Sequence, residues 1–307
     1  MQTTNHILMI RPVDFKFNEQ TAGNNKFQQA SDGSPEESKV QSQALQEFDS
    51  FVSLLRKNDV DVTVIDDTLQ PETPDSIFPN NWVSFHDTAE VFLYPMFSEN
   101  RRQERREDIL KTLSATFNIS KITDLSGYEA KNSFLEGTGS MVLDREHQIA
   151  YACLSLRTDL QVLGDFCTQS GYTAVTFDAT DSSGFPIYHT NVMMCIGDHF
   201  AVTCMESVKD ANDREKLILS FRQTGKELVE ISLDQMNHFA GNMLQVKSSS
   251  GEALLVMSEQ AYLSLTKAQI TALEKYSRLI YAPLYTIEKN GGGSARCMLA
   301  EIHLEKR

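Results

Sequence analysis

Cys297 ends the run Asn290-Gly291-Gly292-Gly293-Ser294-Ala295-Arg296-Cys297, and the segment behind it, Cys297 to Leu304, alternates apolar and polar residues. A cysteine thiolate is a strong nucleophile once it is formed and placed where a substrate can reach it. Adjacent glycines let a backbone pass close to other groups without side-chain clash. A thiol on a strand after such a run is expected at the floor of a pocket. Taken alone, Cys297 reads as a small buried side chain, since free cysteine is among the most buried residue types. Its company changes that reading. Four further polar segments carry groups suited to proton transfer and hydrogen bonding: Pro74-Asp75-Ser76-Ile77-Phe78-Pro79-Asn80-Asn81-Trp82, Phe134-Leu135-Glu136-Gly137-Thr138-Gly139, Tyr188-His189-Thr190-Asn191 and His238-Phe239-Ala240-Gly241-Asn242.

The elements that must position these groups repeat one grammar: strand, turn, strand, amphipathic helix, strand. One copy has strands near 80–86 and 89–94, a helix near 101–117 and a strand near 120–125. The next has strands near 139–144 and 148–154, a helix near 158–170 and a strand near 173–178. Two more follow, with strands near 190–196, 199–205 and 227–232 around a helix near 212–224, and strands near 241–247, 253–258 and 279–285 around a helix near 266–277. The N-terminal part has a strand from His6 to Arg11, a helix near 40–57 and a strand near 60–65, so it lacks one strand. The C-terminal strand supplies it. Five ββαβ units then close about a central axis, and closure removes the loose end of the array. An open, two-domain α/β sheet would instead alternate single strands with helices. The polar stretch from Phe17 to Lys39 interrupts the grammar and reads as an active-site lid or as disorder.

Composition narrows the class. The chain has 307 residues, 41% hydrophobic and 23% charged, which suits a globular domain; residues 1–307 are read as a single catalytic domain. The formal charge of −14 opposes nucleic-acid binding. No apolar run reaches the length of a membrane span, and the first residues lack signal-peptide regions. The five cysteines (Cys153, Cys167, Cys195, Cys204, Cys297) show no paired metal-ligand spacing, so a reduced cytoplasmic protein without metal is expected. The three glycines lack the strand-before, helix-after setting of a phosphate cradle, and no organic cofactor is expected either.

Taken in order, the polar segments and the Gly292-to-Cys297 run resemble the guanidine-modifying enzymes: arginine deiminases, dimethylarginine hydrolases and amidinotransferases. The resemblance covers nearly the whole chain. It is closest to a branch of citrulline-utilising hydrolases, whose N-terminal pattern is similar to Arg11-Pro12-Val13-Asp14-Phe15. It implies a fivefold pseudo-symmetric α/β propeller of ββαβ modules, the pentein fold, with the C-terminal strand completing the first module. It also implies roles: Cys297 as nucleophile, His189 as general acid/base, Glu136 as the carboxylate beside the reacting group. Arg101 and Arg157 match positions that hold the substrate's α-carboxylate, a task suited to planar paired donors, although Arg102 competes with Arg101 for the inward place. Without the resemblance, His189 and Glu136 read as a satisfied strand histidine and a turn glutamate.

The sequence departs from the family at Asn80, Asn81 and Asn191, where members acting on a guanidinium usually present carboxylates. Read as strand residues two apart, His189 and Asn191 would face the same side. A guanidinium offers only donors, which a carboxylate accepts. A ureido group also carries a carbonyl oxygen that needs a donor, and asparagine supplies both an acceptor and a donor. An unpaired buried acceptor costs about 1–3 kcal/mol. The expected reaction is therefore citrulline to ornithine, CO2 and ammonia through a covalent cysteine adduct. Rival readings are an arginine or methylarginine deiminase, an amidinotransferase, and a non-catalytic propeller that only binds partners. The expected partner is a small amino-acid substrate. Self-association into a homo-oligomer is left open.

Overall fold

The computed structural model describes residues 1–23, 25–28 and 37–307. Among them, fifteen strands are found: β1 (His6–Arg11), β2 (Asp61–Asp66), β3 (Val83–Phe85), β4 (Glu90–Leu93), β5 (Lys121–Asp124), β6 (Val142–Asp144), β7 (Ile149–Cys153), β8 (Thr173–Phe177), β9 (Met194–Ile196), β10 (Phe200–Thr203), β11 (Glu227–Glu230), β12 (Leu244–Lys247), β13 (Ala253–Ser258), β14 (Arg278–Ala282) and β15 (Ala300–Glu301). They form five three-stranded sheets, β15-β1-β2, β3-β4-β5, β6-β7-β8, β9-β10-β11 and β12-β13-β14. In each, the first pair is antiparallel and the second parallel. A parallel pair needs a crossover. Helices provide it in each module: Glu37–Lys57, Glu107–Ser114, Leu160–Ser170, Ala211–Gln223 and Lys267–Glu274.

The middle strands explain the pattern. β1, β4, β7, β10 and β13 are near-continuous apolar runs, and most of their side chains are buried. Such a run is what a strand covered on both faces requires. Phe48, Phe51 and Leu55 of the long helix pack with Ile7 and Met9 of β1 in one core cluster. Each buried side chain of this kind contributes about 1.5–3 kcal/mol. Three of these helices begin on side-chain caps: Asp159, Asp210 and Thr266 each accept from first-turn N–H groups. β15 pairs antiparallel with β1, Ile7 opposite Glu301, so the C-terminal strand does complete the first module. The fold is the fivefold α/β propeller.

Several boundaries differ from the sequence reading. The first strand of every module starts later than expected, and in four of them the preceding residues form a helical turn. Pro79–Asn81 and Ala295–Met298 are 3-10 turns; Gly137–Ser140 and Thr190–Met193 are single helical turns. Cys297 therefore sits on a turn before β15 rather than on the strand itself. The helix expected near 101–117 is broken into Glu99–Arg102 and Glu107–Ser114, because Arg101 turns inward onto Glu104 while Arg105 is held by Glu129 and the Tyr94 carbonyl. A helix at Tyr285–Gly291, absent from the sequence reading, ends at Gly292 with φ +65°, a left-handed cap that glycine adopts at little cost.

Candidate active site

The turns gather at one end of the sheets. Gly137, at φ +47°, packs so tightly on the Asn80 and Asn81 carbonyls that a Cβ would strike both. Gly139 has no room for one either, with the Asn81 amide and the His189 ring against it. Gly291 and Gly293 lie on the Phe78 ring at distances that exclude a side chain. Together these close approaches bring Cys297, His189, Asn81, Arg101, Arg157 and the glycine run around one small cavity of about 20 Å³. That is room for about one water.

Each side chain expected at the site is buried there. Glu136 is fully buried; its Oε2 lies 2.7 Å from His189 Nε2 and 3.4 Å from Arg157 Nη1, and its Oε1 accepts from Phe97 N at 2.9 Å. Burial alone would raise this carboxyl, but Arg157, His189 and Arg101 outweigh it and hold it well below its usual range. Burial lowers His189 to about 4 despite the hydrogen bond it makes to Glu136. At neutral pH the imidazole is therefore neutral, with its Nε2 proton directed at the ionised Glu136. Arg101 Nε and Nη2 bond Glu104 at 2.8 and 2.9 Å, and its Nη1 donates to Asn81 Oδ1 at 2.9 Å. Arg102, the alternative, points instead to the Met96 and Phe97 carbonyls. Arg157 lies on the Tyr188 ring, 4.9 Å from its centroid, and Nη2 donates to the Thr21 carbonyl at 3.3 Å.

The three asparagines divide. Asn81 faces the cavity, and because Arg101 fixes its oxygen, its Nδ2 is left without a partner. Asn80 Nδ2 donates to Thr138 Oγ1 at 3.3 Å, with Oδ1 unpartnered. Asn191 sits on a helical turn, not on a strand beside His189, and its Nδ2 lies 3.4 Å from Cys297 Sγ. Two residues carry contacts that the sequence reading assigned to neither. Asp75 lines the cavity, 3.8 Å from Arg101; its Oδ2 accepts from Asn18 at 2.7 Å and its Oδ1 is unpartnered. Burial raises this carboxyl, only partly offset by Arg101 and Asn18. Asn242 Nδ2 lies 3.2 Å from Cys297 Sγ. Both belong to polar segments visible in the sequence, but the hydrogen-bond partners Asn18 and Cys297 lie 50 or more positions away. His238, from the same segment as Asn242, is turned to the Asp234 carbonyl and does not reach the cavity.

Part of the 17–39 stretch covers this end. Asn18 holds Asp75, Asn25 Nδ2 donates to the Gly291 carbonyl at 3.2 Å, and the Phe27 ring meets Tyr188 and Phe239. Residues 24 and 29–36 of the stretch lie outside the described residues. Among the described residues no cluster of three or more His, Cys, Asp or Glu could hold a metal ion, and no helix is long and apolar enough to cross a membrane.

Fold and ordered polar turns together define a member of the guanidine-modifying pentein superfamily. Within it, the family described as N,N dimethylarginine dimethylhydrolase, eukaryotic, matches residues 11–304, and the chain belongs to that family. No curated protein matches the chain. Among solved structures, the chain is similar to apo ArgZ, an arginine dihydrolase from the ornithine–ammonia cycle in Cyanobacteria, at 16% identity and TM-score 0.73, covering 97% of this chain but 40% of that one. The product-bound N-terminal domain of ArgZ gives the same identity and TM-score with 97% of each chain covered. The chain thus spans about two fifths of full-length ArgZ. A dimethylarginine dimethylaminohydrolase variant in adduct with S-methyl-L-thiocitrulline follows at 17% identity and TM-score 0.67, covering 98% of this chain and 100% of that one.

Proposed function

We propose that residues 1–307 form one catalytic domain that hydrolyses a C–N bond of a ureido amino acid, citrulline foremost, giving ornithine, CO2 and ammonia. One observation carries the choice of substrate. Asn81 and Asp75 both line the cavity, and among the described residues each carries a buried atom without a hydrogen-bond partner, a donor at Asn81 Nδ2 and an acceptor at Asp75 Oδ1. A ureido group needs both: a donor for its carbonyl oxygen and acceptors for its N–H groups. Membership of a family of C–N hydrolases supports the reaction class.

In this mechanism the Cys297 thiol gives its proton to neutral His189 and its sulfur attacks the ureido carbon. His189, oriented by Glu136, then protonates the departing ammonia, leaving a thiocarbamate on Cys297. Water that loses a proton to His189 adds to the same carbon. The C–S bond breaks, and the released carbamate loses CO2 to leave ornithine. Arg157, at the cavity wall, binds the substrate α-carboxylate; Arg101 shares that task only if substrate draws it from Glu104.

A second reading has arginine as the substrate, as the name of ArgZ, an arginine dihydrolase, says of that protein. The charge of the buried group favours it. Asp75, Glu104 and Glu136 face Arg101 and Arg157, so with all three carboxyls ionised the group holds one negative charge that a guanidinium would balance. Citrulline, arginine and dimethylarginine assayed side by side for ammonia, ornithine and dimethylamine decide between them. Ornithine from citrulline at a rate equal to or above that from arginine supports the first reading. No ornithine from citrulline refutes it. Release of dimethylamine would place the activity with methylarginines instead.

A further inference from the structure

We infer that Asn242 is a catalytic residue: its side-chain amide is a fixed N–H donor that solvates the Cys297 sulfur as the thiol proton leaves for His189. The inference rests on Cys297 being the nucleophile proposed above, and it adds what makes the sulfur ionise when the substrate is neutral.

Asn242 is fully buried and nearly saturated with bonds that lock its orientation. Its Oδ1 accepts from the backbone N–H of Arg296, the residue before Cys297, at 3.0 Å. Its Nδ2 donates to the Asn191 carbonyl at 2.9 Å and to Cys297 Sγ at 3.2 Å. Turning the amide over would set oxygen against the Asn191 carbonyl and NH2 against the Arg296 N–H, so only the N–H face can meet the sulfur. Asn191 also donates to Sγ, at 3.4 Å, but among the described residues its Oδ1 has no partner and no second hydrogen bond holds its amide. Of the two, Asn242 is the fixed one.

The turn that aims Asn242 is strained and crowded. Phe239, a bulky residue, sits at φ +61°, a left-handed conformation that ring-bearing side chains seldom adopt. Gly241 packs on the Val192 carbonyl and the Met193 backbone where a Cβ would collide. Strain of this kind persists where the surroundings hold it, and it gathers at functional sites. Among the described residues Cys297 Sγ accepts two side-chain N–H groups and donates to none. Those are the surroundings of a sulfur that is to carry negative charge.

The electron balance uses the same N–H twice. The S–H bond breaks, its proton passes to His189, and the sulfur pair forms the C–S bond while the C–N pair leaves with that proton as ammonia. In the second half water gives a proton to His189 and its oxygen to the carbon, the C–S pair returns to sulfur, again facing Asn242, and the His189 proton restores the thiol. An arginine-type substrate would bring its own positive charge beside the sulfur; a ureido substrate brings none. A donor built into the protein replaces that help.

The test reads the sulfur without using substrate. Ultraviolet thiolate absorption is followed against pH in the wild type, Asn242→Asp and Asn242→Ala, each minus the same protein carrying Cys297→Ser. Asn242→Asp can still accept from Arg296 but sets a second anion against the sulfur, and is expected to cut the Cys297 thiolate at neutral pH about tenfold or more; Asn242→Ala is expected to cut it about fivefold. kcat on citrulline should fall in parallel while KM stays within about threefold, the split expected of a group acting in the transition state. Burial pushes Cys153 and Cys195 up to about 12, so their resistance to alkylation reports that a variant is folded. Unchanged thiolate absorption in either folded variant overturns the inference. So does a wild-type Cys297 that ionises no more readily than Cys153 and Cys195, a comparison that stands even if both variants unfold. Turnover surviving Cys297→Ser would instead sink the proposed reaction, whatever the absorption shows.

Discussion

Exchanging Asn81 for aspartate changes one atom's role in the cavity and should move substrate preference from ureido to guanidino. Asn81 is 2% exposed, its Oδ1 is taken by Arg101, and its Nδ2 is the unpaired donor that the ureido carbonyl would meet. In Asn81→Asp the carbonyl oxygen of citrulline faces an acceptor. Leaving that oxygen buried and unpaired costs about 1–3 kcal/mol, so kcat/KM for citrulline should fall about 10- to 100-fold. The variant also adds a carboxylate to a group that already holds Asp75, Glu104 and Glu136 around two guanidiniums. A bound guanidinium relieves that excess, so arginine should lose nothing or gain. Initial rates of ornithine and ammonia release with each substrate give the ratio directly. A citrulline-to-arginine ratio that moves by less than about threefold would refute the cradle argument. Asn191→Asp is the control, because Asn191 faces the sulfur at 3.4 Å. An anion there opposes the ionised thiol and should depress turnover of both substrates about equally. A selective loss of citrulline would show that Asn191 serves the substrate instead.

Three further outcomes are expected. Asp75→Asn removes the unbalanced charge while keeping an oxygen for Asn18, so citrulline turnover should persist and arginine turnover fall about tenfold or more, measured as kcat/KM. Glu136→Gln leaves Arg157 and His189 facing a neutral partner in a fully buried setting; thermal unfolding should show a loss of about 3–5 kcal/mol, with kcat falling further than that loss explains. Glu288, whose carboxyl accepts from Ser294 and Gln260 without a cation, is pushed up to about 7 by burial. A raised carboxyl stabilises the fold below about pH 4.5 and loses that contribution as pH rises to about 7. The Tm of Glu288→Gln relative to wild type should therefore improve between mildly acidic and mildly alkaline pH, and a difference independent of pH would show that Glu288 does not titrate in that window.

The modules were legible because each rests on a buried middle strand with an unmistakable apolar run. β1 and β13 are read from sequence over His6–Arg11 and Ala253–Ser258, the ranges found, and the missing strand of the first module pointed to its partner at the far end of the chain. The turns at the module starts were not legible. Over three or four residues an alternating pattern and a helical turn bury the same side chains, so Asn80, Thr190 and Asn191 read as strand although they lie on turns. Asp75 and Asn242 stood in segments already marked as polar and inward, yet their importance depends on Asn18, Arg296 N–H and Cys297 Sγ, contacts that only the closed ring creates. Two side-chain amides, of Asn191 and Asn242, lie against the Cys297 sulfur, a placement that no spacing in the sequence marks.

Charge and proton counts link these findings. A buried group with one negative charge too many can be balanced by a cationic substrate or by a proton. Burial raises two of its carboxyls, Asp75 and Glu104, the latter to about 8; both Glu104 oxygens accept from Arg101, so Asp75, with one oxygen unpartnered among the described residues, is the member placed to hold that proton. With Asp75 protonated the site is neutral, and a zwitterion with a neutral ureido head adds no net charge to it. With Asp75 ionised the same cavity suits a guanidinium. The two substrate readings then differ by one proton at one carboxyl, so the citrulline-to-arginine ratio should fall as pH rises through the titration of Asp75. Asp75→Asn should flatten that dependence. A ratio that ignores pH in the wild type would leave the preference resting on Asn81 alone.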